Sequence, residues 1–180
     1  MDEIIRLMTE QLRDAYSAEK QALRAMPRMM KKASAQSLKD ALQMHVEQTE
    51  GQVERLEKAL ELVGGKLGRK VCEGMRGIIE EGQSELEDYE KGPLLDTLIV
   101  AAQQRIEHYE IASYGTMAAL AKVVGQQEVA KLLAETLQEE RQTDEKLTQL
   151  AESELNPAAI KGAQSDEPAN DRRSKRGAAA

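Results

Sequence analysis

The chain has 180 residues, enough for one domain with a sizeable core, and its net charge of −7 argues against a general nucleic-acid binder, because phosphate contacts need a basic surface. It has no Phe, no Trp and one cysteine, Cys72, so the core is built from Leu, Ile, Val, Met and Ala, with no internal disulfide and no cysteine-based zinc or iron–sulfur site. The start, Met-Asp-Glu-Ile-Ile-Arg, lacks the pattern of a signal peptide, and no apolar run approaches the ~18–20 residues that span a bilayer; a cytoplasmic, non-membrane protein is expected.

Residues 2–33 read as a first amphipathic helix, kinked or locally broken at Pro27. Ser37 with Asp40 resembles a capping box opening a second helix over 38–63, which Gly64-Gly65 terminates. Residues 66–92 are punctuated by glycine and read as a crossover with a short helix around 71–81. Pro93 stands at the favoured first-turn position of a third long helix, which stops at Gly125. A fourth spans 127–153 and Pro157 closes the fold, giving one domain over 1–157 and a disordered tail over 158–180 that holds the basic run Arg172, Arg173, Lys175 and Arg176. The expected class is therefore all-α: two helical hairpins joined by one long crossover, the connectivity of a ferritin-like four-helix bundle. A slide of 91 residues supports this, laying Glu19 on Glu110, Thr49 on Glu140, Leu42 on Leu133, Leu56 on Leu147 and Met26 on Met117.

Acidic residues interrupt the apolar stripes. The first helix reads Ile5, Met8, Leu12, Ala15, Glu19, Ala22, Met26, and the fourth Leu133, Leu137, Glu140, Asp144, Leu147. Steps of three and four keep each stripe on one helix face, so the carboxylates point where the leucines point. An isolated ionised carboxylate is costly to bury unless it is paired, neutralised or bound to metal. The third helix adds Glu107 and Glu110 on one side, and the second offers His45, Thr49 and Gln52. His108 is rotated about 100° from Glu107 and is expected at the surface or behind the ligands. Tyr16, Tyr109 and Tyr114 read as packing groups whose hydroxyls can orient a carboxylate, and Glu47, Glu50, Glu54 and Glu57 as a solvated face. Oxygen donors with one imidazole suit iron or manganese better than copper or structural zinc. The candidate ligands are Glu19, His45, Glu107, Glu110, Glu140 and Asp144. A competing arrangement leaves the site empty, with these acids protonated or paired with Arg6, Arg105 or Arg141 in a non-enzymatic structural or interaction protein.

The segments Asp14-Ala-Tyr-Ser-Ala-Glu19, His45-Val-Glu-Gln-Thr49, Glu107-His-Tyr-Glu110-Ile-Ala-Ser-Tyr-Gly115-Thr and Glu135-Thr-Leu-Gln-Glu-Glu140-Arg-Gln-Thr-Asp144 resemble the YciE/YciF family of ferritin-like bacterial stress proteins. The resemblance covers residues 3–155. It implies a rubrerythrin-like bundle, a homodimer and a dinuclear metal site in a stress-associated protein; open coordination positions on such metals would let oxygen or peroxide reach them as substrate. It equates Glu19 with the first-helix ligand, Glu107 and Glu110 with the paired third-helix glutamates, and Glu140 with the fourth-helix glutamate. The chain departs from the ferritin-like pattern in having no Glu-x-x-His; Thr49-x-x-Gln52 stands in the second-helix place.

Overall fold

A computed structural model describes residues 1–165, which are all-helical. The order is α1 (Asp2–Lys32), α2 (Gln36–Leu62), α3 (Glu73–Glu85), α4 (Pro93–Val123) and α5 (Gln127–Leu150), then a π turn (Ala151–Leu155) that runs into α6 (Asn156–Ser165). Helices α1 and α2 form one antiparallel hairpin, α4 and α5 the other, and α3 lies in the crossover against α1 and α4. No helix among the described residues is long and apolar enough to cross a membrane.

The internal repeat is structural. Adding 91 to the bounds of α1 gives those of α4, and adding 91 to the start of α2 gives the start of α5. Each hairpin's first or second helix ends at a glycine with positive φ, Gly64 at 71° after α2 and Gly125 at 80° after α4. At both, the next two amides turn back onto the last carbonyls: Gly64 N–H to Glu61 and Gly65 N–H to Leu60, Gly125 N–H to Lys122 and Gln126 N–H to Ala121. This closure needs a left-handed residue, which glycine supplies without a Cβ clash.

Three expectations are corrected. Helix α1 passes through Pro27 without a break. The proline lies on the exposed face, where water can serve the carbonyl it leaves unbonded, while buried Met26 and Met29 hold the helix to the core. No capping box opens α2: Ser37 reaches Glu154 and Asp40 accepts from Gln36. The turn is instead held by buried Asp96 of α4, whose two oxygens accept the Ser34 and Ala35 amides at 2.6 and 2.9 Å. Finally, Pro157 does not close the fold. It sits in the first turn of α6, where proline is tolerated, and α6 packs on α4 through buried Ala159 with Leu155 beneath it. The domain thus extends past 157 through 165, and the basic run Arg172–Arg176 lies outside the described residues.

The core falls into two apolar clusters. One gathers Ala22, Met26, Leu38, Leu42, Ile99, Ile106 and Leu147; the other Met8, Leu12, Leu56, Leu60, Met117, Ala121 and Leu133. Along all four long helices the residues between these clusters are polar and buried: Glu19, His45, Thr49, Gln52, Glu107, Glu110 and Glu140. The bundle is sealed by hydrocarbon above and below one polar layer.

Candidate metal centre

Helices α1, α2, α4 and α5 each contribute to that layer. On α4, Glu107 and Glu110 are three residues apart and both buried, because that face of the helix looks into the bundle. Glu140 comes from α5 and is fully enclosed, and His45 comes from α2. One ligand atom from each of His45, Glu107, Glu110 and Glu140 lies within 4.8 Å of the other three. Oxygen or nitrogen donors around one small divalent ion at ~2.1 Å stand roughly 3–4 Å apart, so a modest contraction would close this set on a cation. Glu19 of α1 adjoins the group: its Oε1 accepts from the Tyr114 hydroxyl, and its Oε2 is enclosed and unpartnered.

The chemistry of the donors fits a cation. No lysine or arginine among the described residues pairs with Glu19, Glu107, Glu110 or Glu140; His45 alone meets them, its Nε2 at 2.9 Å from Glu107 and 3.8 Å from Glu140. Even that contact lacks hydrogen-bond geometry, since Nε2 is itself unpartnered. Thr143 Oγ1 stands 3.4 Å from His45 Nδ1 and 3.4 Å from Gln48 Oε1, so the far side of the ring has a polar partner and Nε2 is left facing the carboxylates. An imidazole nitrogen turned toward carboxylate oxygens is a donor set that a cation can bridge. With the four carboxyls ionised, seven enclosed atoms of these five residues have no hydrogen-bond partner: Nε2 of His45, one oxygen each of Glu19 and Glu107, and both oxygens of Glu110 and Glu140.

Electrostatics point the same way. Burial, then the charge of Glu140, pushes the Glu19 carboxyl up to about 8, against the opposing hydrogen bond from Tyr114 and the charge of His45. Burial pushes Glu107 up to about 7, restrained by hydrogen bonds from Glu140 and Gln103. Glu110 is raised well above the carboxylate range by burial and by the charges of Glu19, Glu140 and Glu107, and Glu140 by burial and then Glu107. Burial and mutual repulsion thus favour the protonated carboxyls when no cation is present, and a divalent ion would take the place of those protons.

Of the six candidate ligands, His45, Glu107, Glu110 and Glu140 come together and Glu19 lies beside them. Asp144 does not join. It sits on the outer α4–α5 seam, its side chain 23% exposed, accepting from Gln104 at 2.9 Å and facing the exposed His108 at 3.3 Å. Its charge reaches Glu107 only as a minor influence. The arginines expected to neutralise the acids are elsewhere: Arg105 pairs with Glu81 and Glu85 on the surface. Tyr16 bonds Glu57 near the surface, and Tyr109 bonds Cys72 and Asp14. Two supporting residues escaped the sequence reading. Gln103 donates to Glu107 Oε1 at 2.6 Å, one turn before it on the same buried face, and Thr143 orients His45. The spacing of four from Glu107 was the available signal for Gln103; nothing in the pattern singled out Thr143.

Residues 4–160 match a family described as a domain of unknown function, DUF892. Protein YciF of Escherichia coli (strain K12) is 46% identical over 149 residues, which span 82% of this chain and 90% of YciF. The crystal structure of that E. coli stress protein superposes with a TM-score of 0.82 at 44% identity, covering 87% of this chain and 99% of the other. The structure of YcfI from Rhodopseudomonas palustris gives 0.78 at 35% identity, covering 81% and 92%. Ferritin-like, diiron-carboxylate proteins from Bacillus anthracis str. Ames give 0.66 at 16% identity, covering 83% and 99%, a likeness of fold alone. The chain belongs to the DUF892 family, as a homologue of YciF built on a ferritin-like helical bundle.

Proposed function

We propose that this protein is a ferritin-like carboxylate metalloprotein that binds iron or manganese in the polar layer and acts on oxygen or peroxide in a stress response. The observation that carries the reading is the meeting of His45, Glu107, Glu110 and Glu140 within 4.8 Å in a dry interior with no lysine or arginine among the described residues paired to them. Charge favours a dinuclear centre: Glu19, Glu107, Glu110 and Glu140 carry four negative charges when ionised, which two divalent ions cancel, whereas one ion leaves two protons or two bare charges behind. The bound metal would supply one-electron chemistry toward oxygen or peroxide. The chain's own part is positional. Thr143, beside Nδ1, keeps Nε2 of His45 turned inward, Gln103 holds one oxygen of Glu107, Tyr114 holds one oxygen of Glu19, and the two apolar clusters keep bulk water away. We further propose, from the family resemblance, a cytoplasmic homodimer, which light scattering of the purified protein checks.

A second reading keeps the bundle without metal, as a structural or interaction protein. It is favoured by Thr49 and Gln52, neutral and buried in the second-helix place where ferritin-like proteins carry ligands. Elemental analysis after native purification, followed by peroxide consumption, separates the two. The metal reading expects about two ions per chain, at least tenfold loss of affinity in Glu110→Gln and loss of peroxide turnover with it. Metal-free protein, with no uptake of added iron or manganese, is the result expected of the structural reading.

A further inference from the structure

The bundle's long seams differ in polarity. Most of the core around the acidic layer is hydrocarbon, but the α2–α5 seam carries a chain of polar contacts from exposed Glu135 through Arg55 and Glu139 to buried Gln52. At its outer end Glu135 is more than half exposed and Arg55 Nε stands 3.3 Å from it. The Arg55 guanidinium grips Glu139 with two bonds, of 2.7 and 2.5 Å, and reaches Thr136 at 2.9 Å. Glu139, about one-fifth exposed, also accepts from the Gln52 side-chain amide at 3.1 Å. Gln52 is fully buried, and its carbonyl oxygen has no partner. Thr49, three residues before Gln52 on α2, and Glu140, next in sequence to Glu139, are likewise fully buried.

We propose that this seam is the passage by which divalent cations reach and leave the acidic layer, with Arg55 as the bar across it; the inference rests on the metal reading above. A hydrated ion entering a dry core must exchange water for protein oxygens one step at a time, because bare transfer is prohibitive. The seam offers those oxygens in order: the exposed carboxylates of Glu135 and Glu139, the free carbonyl of Gln52, then Glu140. The guanidinium of Arg55 occupies the place on Glu139 that an incoming cation would take, so arrival of the ion and release of Arg55 are one exchange. The polar group Gln104–Asp144–His108 on the α4–α5 seam is the alternative path; its carboxylate is already held by Gln104, and it has no buried, unpartnered oxygen of its own.

Stopped-flow absorbance of Co2+ binding to metal-free protein tests this, with the final cobalt content taken by elemental analysis and folding checked by circular dichroism. Gln52→Leu should slow loading about tenfold while leaving the final content unchanged. Arg55→Lys, which keeps the charge and removes the two-pronged grip, should speed both loading and release to a chelator by several-fold. Unchanged rates in both variants would overturn the passage and leave the metal reading standing. A Gln52→Leu protein that loads at the normal rate to a lower content would make Gln52 a ligand and would also overturn it, as would slowed loading in Asp144→Asn alone. Failure of the unmodified protein to bind Co2+ at all would remove the metal reading itself.

Discussion

In the metal-free protein, stability should fall as pH rises through neutrality, the reverse of the trend set by ordinary paired carboxylates. Glu19 and Glu107 have folded-state values of about 8 and about 7, against ~4.3 for a glutamate in an unfolded chain. Between those values the folded chain holds protons that the unfolded chain has released, so ν for the folded state exceeds ν for the unfolded state and raising pH favours unfolding. The contribution is fully favourable to the fold below the unfolded value and is lost as pH rises through about 7 and about 8. Moving from about pH 8 to about pH 6 returns roughly 1.3 protons to Glu19 and Glu107 together, stabilising the fold by ~2–4 kcal/mol. For a chain of this size that corresponds to a rise in Tm of roughly 5–15 °C. The assay is calorimetric melting of chelator-treated protein at constant ionic strength, with the Glu19→Gln, Glu107→Gln double variant expected to flatten the profile. Saturating manganese should invert the slope, because the ion binds the deprotonated carboxylates and displaces protons. A metal-free Tm that is flat or climbs between about pH 6 and about pH 8 would show that these carboxyls are not enclosed as described.

Further expectations concern single positions. Glu140→Leu should raise the stability of the metal-free protein by ~1–4 kcal/mol in urea unfolding, since an apolar group replaces a buried acid, while abolishing metal uptake. Asp96→Ala removes the acceptor of two amides at the α1–α2 turn and should cost ~2–4 kcal/mol in the same measurement; a loss under ~0.5 would mean the turn holds itself. Truncation after residue 155, which strips α6 from α4, should lower Tm by several degrees.

Helix bounds were legible in the sequence because their stop and start signals are local: Gly64 and Gly125 close α2 and α4, and Pro93 opens α4. The repeat was legible because the two hairpins keep one length and one register. Glu19, Glu110 and Glu140 were found as acids in the place of leucines. Asp144 misled for a geometric reason. The buried residues of α5 include Leu133, Thr136, Glu140, Thr143 and Leu147, so the inward line passes one residue before Asp144 and before Leu137. At 3.6 residues per turn, Asp144 lies about 40° past Glu140, enough to carry it to the α4 side. Thr136 and Thr143 were passed over because a search for apolar stripes reads threonine as surface. Gln103 is hidden in the same way, although it is fully buried. The turn into α2 was misread because its stabilising group, Asp96, is some sixty residues distant in the chain and no local pattern points to it.

The central claim is that a cation belongs among carboxylates brought together by separate helices. Anomalous diffraction from crystals of the full chain soaked in manganese, collected with data on both sides of the absorption edge, reads this directly. The account predicts a strong anomalous peak at bonding distance from His45 Nε2 and the carboxylates of Glu107, Glu110 and Glu140, with a second peak toward Glu19. An interior without a peak, or manganese found only at the surface beside Asp144 and His108, would contradict it.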